Sequence, residues 1–178
     1  KSITTAYSTV NIGSNAGYQI TTGNDNISIG ANSGNSTTTG NFNVNVGSSA
    51  GYLNVTNAGN TNIGDSAGYK TTAANCVAVG RYANYGGTGL ANTAVGSRSM
   101  YATGSKTHNT AIGSYALYPT TTGTYNTALG YAAGGFSGLT TGTNNTVIGN
   151  NAIASVATVS NEITLGNTAV TKFRIPGI

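Results

Sequence analysis

The chain has 178 residues, of which only 6% are charged, with 27 glycines, two prolines, one cysteine and no tryptophan. A helical globular domain of this length would have about a quarter of its residues charged and an apolar period of 3.6, and neither is present. The net charge of +4 comes from Lys1, Lys70, Arg81, Arg98, Lys106, Lys172 and Arg174 against Asp25, Asp65 and Glu162, spread too thinly to read as a nucleic-acid-binding surface.

Lys1 to Ser8 lead in, and from Thr9 onward one phrase recurs ten times, most clearly as Asn109-Thr-Ala-Ile-Gly-Ser-Tyr-Ala-Leu-Tyr118. Its central glycines are Gly13, Gly30, Gly47, Gly64, Gly80, Gly96, Gly113, Gly130, Gly149 and Gly166, at spacings of 17, 17, 17, 16, 16, 17, 17, 19 and 17 residues. A period this short and steady leaves room for one coil per repeat, not one domain. The residue before each glycine is aliphatic, from Ile12 to Leu165, and the residue three before it is always β-branched, from Val10 to Ile163. Between them stands mostly Asn, Ser, Ala or Thr. This period of two predicts a short strand with one buried face, ended by a glycine that can take a positive φ. Three after the glycine is Ala or Ser in every copy, which implies a close approach of two backbones. The fold class expected is all-β, a parallel β-solenoid of ten coils of about 17 residues in a single domain over 1–178. Ten layers about 4.8 Å apart would make a rod roughly 45–50 Å long.

The first four coils end in Ala-Gly-Tyr or Ser-Gly-Asn, as in Ala16-Gly17-Tyr18 and Ala67-Gly68-Tyr69. Coils five to seven replace that second glycine with Asn84, Met100 and Leu117, so the column grows bulkier. The connectors, such as Thr37-Thr-Thr-Gly-Asn41 and Thr120-Thr-Thr-Gly123, have turn compositions in which a second short threonine strand is possible. The longest coil follows Gly130, and Gly134-Gly135-Phe136-Ser-Gly138 is its expected bulge. Its loop displays Phe136 and Leu139. The ending Phe173-Arg-Ile-Pro-Gly-Ile178 leaves apolar residues at a free end, as expected of a segment cut from a longer chain.

The aliphatic and alanine columns together make a thin interior, and thin solenoids need caps or partners. Self-association is expected, with the alanine, glycine and tyrosine columns lying between chains. No apolar run approaches the ~20 residues of a membrane span. The chemistry-bearing residues are few. His108 reads as an exposed turn histidine before it reads as a base. Asp25, Asp65 and Glu162 fall in different columns at least two coils apart, so no carboxylate pair forms. Cys76 occupies a column usually held by Asn. One histidine and one cysteine make no zinc site, and no metal or cofactor is expected. An enzyme is not expected. Recognition potential lies in the tyrosines five after the glycine, Tyr18, Tyr52, Tyr69, Tyr85, Tyr101 and Tyr118. Stacked along a rod they would offer apolar faces and hydroxyl tips to a sugar, with Phe136 as a further contact.

The phrase Asn-Thr-Ala-Ile/Leu/Val-Gly-x-x-Ala, in Asn92 to Ser99, Asn109 to Ala116 and Asn126 to Ala133, resembles the head repeat of trimeric autotransporter adhesins. It is still more similar to repeats in tail fibres and tailspikes of tailed bacteriophages. Both resemblances imply a left-handed parallel β-roll assembled as an intertwined or side-by-side homotrimer. The stretch Asn161 to Arg174 resembles the segment preceding the endosialidase-type intramolecular chaperone domain of such fibres. Adhesin head repeats are shorter than these, which turns the resemblance toward the phage branch. The implied role is a structural and adhesive fibre segment of a virion, outside the cell, that spaces or presents binding to a host glycan or protein. A bacterial surface adhesin is the alternative. A hexapeptide acyltransferase fits less well, since its hexad occurs once per coil here and not three times. An ice-binding solenoid also fits less well, since most threonines lie in connectors of variable register.

Overall fold

The computed structural model describes residues 6–102, 104–136 and 138–174. Residues 1–5 of the lead-in and 175–178 of the apolar ending lie outside the described residues. Ten three-residue strands follow one another: β1 Val10–Ile12, β2 Ile27–Ile29, β3 Val44–Val46, β4 Thr61–Ile63, β5 Val77–Val79, β6 Thr93–Val95, β7 Thr110–Ile112, β8 Thr127–Leu129, β9 Thr146–Ile148 and β10 Ile163–Leu165. They form one ten-stranded parallel sheet in strict sequence order, a β-solenoid of about nine turns. Register is held throughout: Ala94 pairs with Ala111 and Ala111 with Ala128. The two extra residues after Gly130 leave it unchanged, for Ala128 still meets Val147. The expected second strand of threonines is not formed among the described residues. The connectors stack instead through single bonds such as Thr38 N to the Val55 carbonyl, 2.8 Å.

Each strand stops at its glycine for a steric reason. At Gly113, with φ +133°, an added Cβ would lie 2.2 Å from the Gly130 carbonyl oxygen of the next layer, so no side chain fits between the stacked backbones. The chain then turns through two left-handed residues in most coils, two and four after the glycine, for example Asn15 and Gly17.

The faces of the strands are the reverse of those expected. The middle residue points inward: Asn45, Asn62, Ala78, Ala94, Ala111, Ala128 and Val147 are all essentially inaccessible. The aliphatic column points out, with Ile12 59%, Ile112 41%, Leu129 47% and Leu165 47% exposed. The alanine column, expected between chains, lies in the core, and Ala50, Ala67, Ala83, Ala116, Ala133 and Ala152 are fully buried. A coil of 17 residues with two inward-facing rows is too narrow for Ile or Leu in both, so small residues take the inside.

That interior changes chemistry along the rod while conserving volume. In the first four coils a polar middle residue faces a glycine; a Cβ at Gly51 would sit 2.0 Å from Asn45 Oδ1, and one at Gly68 2.0 Å from Asn62 Oδ1. In the next three the middle residue is alanine and the freed space is filled by Asn84, Met100 and Leu117, all fully buried. These three hold a left-handed φ of 44–48°, a strain of about 1 kcal/mol each that burial of Met100 and Leu117 offsets. In the eighth coil Gly134 returns, and the expected exposed loop residue Leu139 is instead fully buried in the core. The longer loop exists to bring Leu139 inward.

A ladder of asparagines, four before the glycine, ties the layers together. Asn109 Oδ1 accepts the Asn126 backbone N–H at 2.8 Å, and its Nδ2 donates to the Gly123 carbonyl at 2.8 Å. The same pair of bonds recurs from Asn26, Asn43, Asn60, Asn92, Asn126 and Asn145. Cys76 interrupts the column, buried and with its thiol pKa raised by burial. Asn109→Ala would leave a buried N–H and a buried carbonyl without partners, at about 1–3 kcal/mol each. The expected result is a fall in melting temperature of several degrees, read by circular dichroism, with no change in mass in solution.

Candidate binding surface

The tyrosine column begins where the chain leaves the second left-handed residue and runs up the next face. Five of its six members form a continuous stack. Ring centroids are 5.0 Å apart for Tyr52–Tyr69, 5.2 Å for Tyr69–Tyr85, 5.2 Å for Tyr85–Tyr101 and 5.3 Å for Tyr101–Tyr118, with interplanar angles of 5°, 6°, 18° and 6°. Tyr18 stands apart, 53% exposed, because the second coil carries Asn35 in this column. The stack covers the ring faces with one another, so the apolar faces expected to meet a sugar are taken up along the ladder. The five residues are half-buried, so part of each stays in reach of solvent. Burial, with Tyr101 and Tyr82 beside it, raises the Tyr85 pKa. Phe136 is 54% exposed and closes the stack at the eighth coil, 5.2 Å from the Tyr115 ring and 6.0 Å from Tyr118.

Beside the ladder lies a second group that the sequence reading missed. It occupies the first and second positions after the glycine on the middle coils: Arg81, Tyr82, Arg98, Tyr115 and Tyr131. The Arg81 guanidinium sits 4.8 Å from the Tyr82 ring centroid, and Arg98 lies 5.8 Å from both Tyr82 and Tyr115. Arg98 Nη1 donates to the Tyr115 hydroxyl at 2.7 Å, the largest cause of its raised pKa. Tyr82 meets Tyr85 and Tyr101 edge to face at 5.7 and 6.2 Å, which joins this group to the ladder. Tyr131 meets Tyr115 in the same way at 6.1 Å, and Lys70 Nζ lies 5.8 Å from the Tyr85 ring. A signal was present in the sequence. The second position after the glycine is Asn15, Asn32, Ser49 and Ser66 in the first four coils, then becomes Tyr82, Arg98 and Tyr115.

The remaining titratable groups are dispersed. Asp65 faces Arg81 at 3.6 Å on the exposed surface. His108 is exposed in its turn and stacks on Tyr125 at 5.1 Å. Glu162 stands in the asparagine column, where hydrogen bonds from Ser155 and Thr164 lower its pKa. Two shallow concavities lie at the last coil, one lined by Ile163, Leu165, Val170 and Phe173 and the other by Asn151, Thr164 and Asn167. Among the described residues no helix is long and apolar enough to cross a membrane. No family model, curated protein or solved structure matches the chain.

Proposed function

We propose that this chain is a structural and adhesive segment of a bacteriophage tail fibre or tailspike, working as a parallel homotrimer that spaces or presents binding to a host surface. One observation carries the assembly. The outward face of the sheet is a strip with no charged residue in either column, Val10, Ile27, Val44, Thr61, Val77, Thr93, Thr110, Thr127, Thr146 and Ile163 in one and Ile12 to Leu165 in the other. It runs along nine strand spacings, roughly 43 Å at 4.8 Å each. An uncharged strip with one column aliphatic throughout, on the outside of a polar chain, marks an interaction site. Its occupants are further copies of the same chain, because a uniform column on one rod meets an identical column on a parallel rod coil for coil. The phage setting is supported by the resemblance of the repeat phrase, and a bacterial surface adhesin would use the same assembly.

Light scattering tests it. The expected mass is three times the chain mass of 17.7 kDa. Ile112→Asp, which puts a carboxylate on the strip, is expected to return single-chain mass with the β signal retained. A single-chain mass for the unaltered protein overturns the proposal. One observation favours a second reading: Thr93, Thr110, Thr127 and Thr146 stand in register on this outer face, as an ice-binding surface would require. The two readings compete for one face, so arrested ice growth by a single chain would select the second.

A further inference from the structure

We propose that the surface formed by Arg81, Tyr82, Arg98 and Tyr115, with Lys70 at its edge, is a binding site for an extended acidic polysaccharide. The inference deepens the host-surface reading above and rests on it for its biological setting.

Three observations carry the site. The first is conformational. Tyr82, Arg98 and Tyr115 hold left-handed φ values of 58°, 55° and 60° at a position where the other coils up to the ninth use Asn, Ser or Ala. Large side chains are uphill in that region, whereas Asn enters it readily. Three successive coils nevertheless carry a large side chain here, and all three belong to the same patch.

The second observation is charge. Lys70, Arg81 and Arg98 come from three successive coils and share this face with a single carboxylate, Asp65, which pairs with Arg81. Among the described residues neither Arg98 nor Lys70 has a carboxylate partner. Arg98 is held in place by the Tyr115 hydroxyl and lies between two rings, so its planar donors are ordered before any ligand arrives. An ordered guanidinium fork fits a carboxylate in a bidentate manner.

The third is spacing. The tyrosine rings repeat once per coil at intervals of 5.0–5.3 Å, and Lys70, Arg81 and Arg98 bring one cation to each of three successive coils. That interval is close to the advance per sugar residue in an extended polysaccharide, so acid groups along such a chain can meet one cation per coil. The tyrosine edges and hydroxyls then serve the sugar hydroxyls, and Tyr131, exposed beyond Tyr115, offers an open ring. A nucleic acid strand would need open ring faces for its bases, and here the ladder covers most of them.

The test uses the whole chain, with polygalacturonate as the acidic probe and neutral dextran and oligo(dT) as controls. The expected result is binding to polygalacturonate alone, weakening as salt rises. In the triple variant Tyr82→Asn, Arg98→Ser, Tyr115→Asn, each position takes a residue type that its own column uses elsewhere. That variant is expected to keep or raise its melting temperature and keep its mass in solution while its affinity falls at least about tenfold. Absence of polygalacturonate binding overturns the proposal, as does equal binding of dextran, tighter binding of oligo(dT) or unchanged affinity in the variant. A loss of mass in the variant also overturns it and makes the patch a contact between chains. A trimer that binds no polymer rejects this site alone, and a single chain that binds polygalacturonate rejects the trimer alone.

Discussion

Ala111→Asp is expected to unfold the protein, while Ile112→Asp, one residue along, leaves each coil folded. Ala111 is fully buried between Ala94 and Ala128, with Met100 and Leu117 in the same cluster. A carboxylate there would lose its water and would also overfill an interior that Met100 and Leu117 already occupy. Either effect alone costs several kcal/mol, and together they exceed what a single coil contributes. Ile112 is 41% exposed in the chain, so its substitution leaves the coil's interior intact and is expected to act on the proposed assembly alone. The check is circular dichroism beside light scattering. A folded Ala111→Asp protein would mean that the inward and outward faces have been exchanged.

The second large effect concerns Lys106, which is fully buried with its ammonium donating to the Ala102 carbonyl. Burial pulls its pKa down to about 7, against a small opposing effect of Cys76. A lowered lysine pKa means that the unfolded chain holds more protons than the folded one between about pH 7 and the ordinary value of 10.5. Lys106 therefore costs stability below pH 10.5, increasingly so down to about pH 7, and by a constant amount below that. The slope is about 1.4 kcal/mol per pH unit within the window. Lys106→Met, similar in length and apolar, is expected to raise the melting temperature strongly at pH 6. The advantage should shrink as pH rises and disappear above about 10.5. Denaturant titrations of both proteins at pH 6, 8 and 10 provide the check. A stability difference that does not change with pH would mean that the ammonium keeps its ordinary pKa in the fold.

The repeat, the strand in each coil and the bulge after Gly130 were legible because they follow from local columns: β-branched residues, a glycine, a fixed period. The direction of each column was not. Alternation shows that residues one apart face opposite ways, but it does not say which way is in. Ile112 was given the inside because aliphatic residues usually belong there. Ala111 took it because Leu117 fills the rest of that coil's interior and leaves room for a small residue. The asparagine column was visible from Asn26 to Asn145, yet nothing local told that these side chains bond to the following layer and not to solvent. The patch around Arg98 was hidden for another reason. It joins the second residue after one glycine to the fifth residue after another, and only the paired left-handed turns bring those positions together.

The asparagine ladder also has a direction in time. Each Asn side chain is completed by residues that come later in the chain: Asn92 waits for Asn109, and Asn109 for Asn126. A coil leaving the ribosome therefore presents a ready acceptor and donor to the next one, and each closure spans only 16 to 19 residues, a short and nearly constant loop. Such a chain can wind itself up from its first coil during synthesis, with every turn serving as the template for its successor. Winding from the other end would have to place each backbone amide before the side chain that receives it. In the same column Glu162 accepts hydrogen bonds from Ser155 and Thr164.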